Sequence, residues 1–317
     1  MAITGLDNDN LKLIIFGGKG GVGKSSCAIA TAVALAEKHK TLLISTDPAH
    51  SISDGLEQEI GFKVTAINQV ANLSGIEVVA EEALAGFKNE HRGELKKLLE
   101  TSTNLDNEDI DEMLALSIPG IDEVMSFKTI IDFIEEGHYE KYVVDTAPTG
   151  HALRLISSPK MLDEWIKVAG KMRWKYRYMI TSFTGTYQQD DVDALLLSLK
   201  RTVKRIENML KDAEKCEFIP VCIPEAMAIM ETRRLLASLN TSGIIPRQII
   251  VNNVMVSEDC SFCRSRKNSQ SPFINEINDQ FSQLNKVEVP IFPDQVKGLG
   301  TIRQLAAALF RNQTLNS

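Results

Sequence analysis

Eight consecutive residues, Gly18, Lys19, Gly20, Gly21, Val22, Gly23, Lys24 and Ser25, have the spacing G-x-x-x-x-G-K-[ST]. Glycines at these steps let backbone N–H groups curl around phosphates without a Cβ clash. A helix starting at the end of the motif adds donors and a favourable dipole. Lys24 has the reach for the β- and γ-phosphates, and the Ser25 hydroxyl suits Mg²⁺. Two aspartates follow apolar runs, Asp47 after residues 41–46 and Asp145 within residues 141–146. A carboxylate at the carboxyl end of a parallel strand stands at the ligand crevice. Asp47 is placed to orient or deprotonate an attacking water, and Asp145 to hold Mg²⁺ through its water shell. The plainer role for either is capping a helix. Pro148 and Gly150, just after Asp145, suit a loop that rearranges when the γ-phosphate leaves.

Cys260 and Cys263 are a second constellation, a C-x-x-C pair in a polar stretch read as a loop after a strand. Two thiolates supply half of a tetrahedral zinc site. Cys27, Cys216 and Cys222 sit in helix or strand contexts and offer no second pair. Two copies meeting on a two-fold axis would complete four ligands. A redox dithiol and two uncommitted surface thiols are the alternatives. A redox pair is better placed at a helix N-terminus after a strand.

The elements that must position these groups follow from short apolar runs. Residues 11–16, 41–46, 76–80, 141–146, 217–222, 248–252 and 287–292 read as buried strands. Residues 24–38, rich in Ala, read as a helix. Strands alternating with helices predict an α/β fold with a mostly parallel sheet flanked by helices. The alternation lapses at about 81–137 and 157–215, which read as helical insertions forming a subdomain within a single 1–317 ATPase domain. Lys and Arg number 35 against 42 Asp and Glu, a balance of −7 that argues against a general nucleic-acid binder. No apolar run approaches the ~18 residues of a membrane span, so no stable membrane insertion is expected. The N-terminus has neither the basic nor the apolar part of a signal peptide, and a cytosolic protein is expected.

Lys19 and its neighbours resemble the deviant Walker A loop of the P-loop NTPases that include the MinD and ParA partition ATPases, nitrogenase iron protein and the ArsA arsenite ATPase. The resemblance implies that Lys19 reaches across a homodimer to the partner's nucleotide. Such a cation stabilises charge on the transferring phosphoryl group, as an arginine finger does. The run 47–51 (D-P-A-H-S) and the run 145–155 (D-T-A-P-T-G-H-A-L-R-L) are similar to the switch motifs of the ArsA branch. Matches also occur at 117–123, 221–225, 249–252, the cysteine pair and 290–299. Together they resemble the ATPases of the Get/TRC pathway, which deliver tail-anchored membrane proteins. That resemblance implies ATP, Mg²⁺ and Zn²⁺ as cofactors, Asp47 as the catalytic acid residue, and a zinc shared through Cys260 and Cys263. It implies that Glu225, Asn252, Pro290, Ile291, Phe292, Pro293, Asp294, Gln295 and Val296 hold the adenosine. An amide such as Asn252 can pair bidentately with adenine's N6/N7 edge. The length around 171–178 suggests an archaeal or bacterial relative and leaves the membrane receptor unidentified.

The insertions carry Met113, Met125, Met161, Met172, Met179, Trp165, Trp174, Phe127, Phe133, Phe183, Leu195, Leu196, Leu197 and Leu199. Singly these read as core. As a set, with the resemblance, they imply a groove that shields the transmembrane helix of a tail-anchored client. Lys171, Arg173, Lys175 and Arg177 read as a solvated helix face. A metalloid-efflux ATPase is the alternative, but no cysteine lies between Cys27 and Cys216 to supply soft ligands. An ATP-dependent holdase, redox-triggered through the cysteine pair, is another.

Overall fold

A computed structural model of the chain describes residues 2–47, 49, 51–102, 109, 112, 121–147, 162–164, 166–171, 173–174, 177–178, 181–182 and 189–310. The chain divides into two compact units. One comprises Met1–Val78, Phe133–Ile156 and Met209–Ser317, the other Val79–Asp132 and Ser157–Asn208.

The first unit is built on strands β1 (Leu13–Gly17), β2 (Thr41–Ser45), β3 (Thr65–Ala66), β4 (Leu73–Glu77), β5 (Lys141–Asp145), β6 (Cys216–Cys222), β7 (Gln248–Val254) and β8 (Asn285–Pro290). They form one sheet in the order β3-β4-β2-β5-β1-β6-β7-β8. Every pair is parallel except β3–β4. β1, β2, β5 and β6 are buried along their whole length, as continuous apolar runs dictate when both sheet faces are covered. Two of the buried charges within these strands are paired inside the fold. The Lys141 ammonium donates to the Asn8 carbonyl at 2.5 Å and the Leu11 carbonyl at 2.7 Å, and Glu217 pairs with Arg247.

Two strand expectations are corrected. β4 starts at Leu73 and stops at Glu77, and the next helix opens at Ala80. Ser74 and Gly75 break the apolar run that would have marked its start. β8 ends at Pro290, so residues 291–296 leave the sheet.

The described helices are α1 (Lys24–Leu35), α2 (Ser51–Leu56), α3 (Ala80–Glu90), α4 (Arg92–Ser102), α5 (Ile121–Glu136), α6 (Asp191–Lys211), α7 (Ala226–Thr241), α8 (Ser261–Gln280) and α9 (Gly298–Phe310). α1 packs onto β1, β2 and β5 and against α2 and α9. It rises directly from β1, whose neighbours are β5 and β6. The carboxyl ends of the central strands therefore open onto the start of α1, the place where open parallel sheets bind ligands.

The second unit is helical. Leu98, Ala169, Val192 and Leu196 form one apolar cluster there, and Met125 and Phe127 are buried. Arg173 is 3% exposed, with its guanidinium on Asp190 and Asp193. This corrects the reading of a solvated face. Four cations at alternate positions spread around a helix, so one turns inward and must be paired there. Burial alone would raise Asp190, but hydrogen bonds from Lys97 and Arg173 prevail and hold its carboxyl at about 2. Among the described residues, no helix is long and apolar enough to cross a membrane.

Candidate functional site

The phosphate loop joins β1 to α1. A Cβ on Gly18 would lie 2.3 Å from the Val221 carbonyl oxygen, so the loop approaches β6 at backbone distance. Gly23 caps α1 at φ +92°, where a Cβ would come 2.3 Å from Asn252 Nδ2. Lys24 is buried and its Nζ donates to the Lys19 carbonyl at 3.2 Å. Burial lowers the Lys24 pKa, while the charges of Asp145 and then Asp47 pull it back up. The lysine and both predicted aspartates thus act on one another. The Lys19 side chain is half-buried and makes no hydrogen bond or ion pair among the described residues.

Asp145 ends β5 and is wholly buried. Burial pushes its carboxyl up to about 6, against the pull of the Ser25 hydroxyl, the Lys24 ammonium and the Ser51 hydroxyl. Ser51 Oγ donates to Oδ2 at 3.1 Å. Among the described residues Oδ1 has no hydrogen-bond partner. A buried carboxylate oxygen left this way is costly and marks a place for a cation. Hard oxygen donors from Asp145 and Ser25 beside a phosphate cradle fit Mg²⁺, which keeps several of its waters.

The Asp47 amide donates to Ser45 Oγ, and Asp47 Oδ1 accepts the Ala49 amide, both at 3.1 Å. Pro48 and His50 lie outside the described residues, as do Pro148 and Gly150. Sequence reasoning misses Ser53, Glu77 and Gln270, which act through hydrogen bonds that carry no motif, and reads Ser51 only as the end of the run 47–51.

The expected adenosine residues scatter. In β7 the register shifts between Val251 and Val254, and Asn253 takes φ 57°. Such a bulge re-aims a side chain, here Asn252, whose Nδ2 donates to the Val22 carbonyl at 2.9 Å. Its Oδ1 is the acceptor left for a base. Buried Gln270, on α8, holds the bulge. Its Nε2 donates to the Asn253 carbonyl at 3.0 Å, and its Oε1 accepts the Met255 amide at 2.8 Å. Glu225 caps α7 and faces Arg266 at 3.4 Å. Pro290 closes β8, and the Ile291 amide donates to the Val254 carbonyl at 3.0 Å. Phe292 and Val296 pack against the core, while Pro293, Asp294 and Gln295 are exposed.

The cysteine pair is not in a loop. Cys260 is the N-cap of α8, and its sulfur accepts the Cys263 amide at 3.2 Å. The two sulfurs are 2.9 Å apart. Their contact pushes the Cys260 thiol down and the Cys263 thiol up. Phe262 between them is 70% exposed. Among the described residues no group of three or more His, Cys, Asp or Glu could hold a metal, so they offer this pair alone. Burial pushes the other thiols up, Cys27 to about 12, Cys222 to about 11, and Cys216 in the same direction.

Residues 11–311 match the ArsA family of anion-transporting ATPases. ATPase ASNA1 homolog 1 of Paramecium tetraurelia is 31% identical, over 98% of this chain and 95% of its own. ATPase GET3 of Phaeosphaeria nodorum is 32% identical over 92% and 93%. The ATPase ASNA1 homolog of Dictyostelium discoideum is 31% identical over 96% and 92%. These relatives are eukaryotic, although the length around 171–178 suggests another branch. The family match runs from just before β1 to just past α9, through the phosphate loop and the buried Asp145, and so the chain belongs to the ArsA family of anion-transporting ATPases, enzymes that hydrolyse ATP.

Proposed function

We propose that this ATPase is a cytosolic homodimer that uses Mg-ATP to shield the transmembrane helix of a tail-anchored protein and deliver it to a membrane. Apolar surface on the helical unit carries the reading. Val168, Trp174, Tyr178 and Leu197 are each 46% or more exposed, and Trp174 and Leu197 line a cavity of about 260 Å³. An exposed tryptophan and leucine at one cavity, with Tyr178 stacked on Trp174, mark a binding surface. Met125, Phe127, Leu195 and Leu199 are core residues and drop out as contacts, Phe133 is half-buried, and Leu196, though buried, lines the same cavity. Met113, Met161, Met172, Met179, Trp165 and Phe183 lie outside the described residues.

In this reading Lys24 neutralises phosphate charge, and Ser25 and Asp145 hold Mg²⁺, which supplies further charge neutralisation when bound. Asp47 orients the attacking water, and Lys19 of the partner subunit adds a cation across the two-fold. Glu225, Asn252 and residues 290–296 enclose the adenosine.

Trp174→Asp and Leu197→Asp are expected to abolish capture of an apolar helical peptide and leave basal ATP hydrolysis within about twofold, because the phosphate site is built on the other unit. A folded double variant that still captures the peptide overturns the groove, and a wild type that captures none in any nucleotide state overturns the targeting role.

Zinc belongs to the same proposal. A structural site needs four ligands and this chain offers two, so metal analysis is expected to give about one zinc per two chains. Cys260→Ser with Cys263→Ser should lose the metal and weaken the dimer, whereas one zinc per chain overturns the shared site. The position of Cys260 at the start of α8 favours a second reading, an oxidant-triggered holdase, since a helix N-terminus stabilises thiolate. Zinc release on oxidation, with gain of holding activity, separates it from the first. A metalloid pump gains no support, because Cys27, Cys216 and Cys222 are buried and, among the described residues, no third ligand joins the Cys260–Cys263 pair.

A further inference from the structure

Three serines tie the Asp47 segment to the ends of three strands. Ser45 in β2 takes the Asp47 amide, Ser51 reaches Asp145 at the end of β5, and Ser53 reaches Glu77 at the end of β4. Glu77 is 2% exposed and stands in register with Ser45. Its Oε1 accepts the Ser53 amide at 3.3 Å and the Ser53 hydroxyl at 2.9 Å. That hydroxyl has one proton, shared with the Ile60 carbonyl, also at 2.9 Å, and it accepts the Ile60 amide at 3.1 Å. The Glu77 amide donates to the Gly61 carbonyl at 3.1 Å. Glu77 thus holds both ends of the segment 53–61 on the sheet, Ser53 through its carboxylate and Gly61 through its backbone amide.

Burying a carboxylate is costly unless it is hydrogen-bonded, and these bonds go to the segment that follows Asp47. α2 is otherwise held by the Ser51 hydroxyl on Asp145, by Ile52 and Leu56 in the core and by Gly55, where a Cβ would come 2.5 Å from Ile29. Apolar packing is non-directional; the Ser51–Asp145 and Glu77–Ser53 bonds fix the position from two sides. We propose that Glu77 is a positioning residue for ATP hydrolysis, holding α2 through Ser53 so that Asp47 stands at a set distance from Asp145 and Lys24. This rests on the reading of Asp47 as the water-orienting group.

The test uses the full chain. Ser53→Ala, which deletes one hydroxyl, is expected to lower kcat by about tenfold or more, because small misplacements of a catalytic group are expensive. KM for ATP and the affinity for a fluorescent ATP analogue should stay within about twofold. Amides of residues 51–60 should exchange hydrogen faster in the nucleotide-free protein. Glu77→Gln keeps an acceptor for Ser53 and should retain kcat within about threefold, whereas Glu77→Leu should match Ser53→Ala. If the leucine variant does not fold, the other two decide. A folded Ser53→Ala with wild-type kcat and exchange, alongside an inactive Asp47→Asn, overturns the positioning role alone. An Asp47→Asn chain that turns over normally overturns the reading of Asp47, and the positioning role with it.

Discussion

Asp47→Asn is expected to bind ATP as tightly as the unchanged chain and to lose about two to four orders of magnitude in kcat, the range that a positioned general base contributes. The local structure should survive. The Ala49 amide donates to Asp47 Oδ1, and the asparagine carbonyl offers an acceptor at the same place. The Asp47 amide keeps its bond to Ser45 Oγ. What disappears is the negative charge near Lys24 and a basic oxygen for a water. Steady-state hydrolysis beside an equilibrium measurement of nucleotide affinity checks it, and comparable kcat refutes the assignment. Mixing this variant with Lys19→Ala adds a stricter test. If Lys19 acts across a dimer, one of the two sites in a mixed dimer combines an intact Asp47 with an intact Lys19, and part of the activity returns. If Lys19 acts within its own chain, each site in the mixture lacks one group and nothing returns.

Gly23→Ala should weaken nucleotide binding by about a hundredfold or more, whereas Gly21→Ala should weaken it far less. Both glycines have left-handed backbone, φ +92° and +80°. Forcing alanine there costs about 1–2 kcal/mol. A Cβ on Gly21 meets nothing within 4 Å, but one on Gly23 meets Asn252 Nδ2 at 2.3 Å. Relieving that overlap means moving a buried amide already bound to the Val22 carbonyl, at a further cost of about 1–3 kcal/mol. Together that is roughly a hundredfold or more in affinity. Adding Asn252→Ala to Gly23→Ala removes the clash and should recover binding to about the level of Gly21→Ala carrying Asn252→Ala. Isothermal titration of the four variants decides it. Equal losses for Gly21→Ala and Gly23→Ala would show that the Asn252 contact does not shape the loop.

The phosphate loop was legible because its residue types, spacing and flanking strand and helix all point one way. The central strands were legible because burial on both faces leaves continuous apolar runs such as residues 13–16. What stayed hidden depends on partners far away in sequence. β3 is two residues long and exists through pairing with β4, not through its own propensity. Glu77 reads as an ordinary acid at a strand end until Ser53 is seen beside it. Arg173 reads like its neighbouring cations until Asp190 and Asp193 face it. The cysteine pair reads as part of a loop because the polar stretch 257–271 has no apolar stripe to announce a helix, yet Cys260 caps one. Met125 read as a groove candidate because composition does not say which side of a helix faces solvent.

The extra residue in β7 sets a rule for how this sequence can drift. Between Val251 and Val254 the strand advances three residues while β8 advances two, from Glu288 to Pro290. Losing one residue there would restore even pairing and remove the bulge that aims Asn252 at the Val22 carbonyl. Position 253 suits the few residue types that accept φ 57°, whereas a lost codon removes the bulge itself. At this point the lineage must keep a length before it keeps an identity, and Gln270, far along the next helix, is the residue that reads that length.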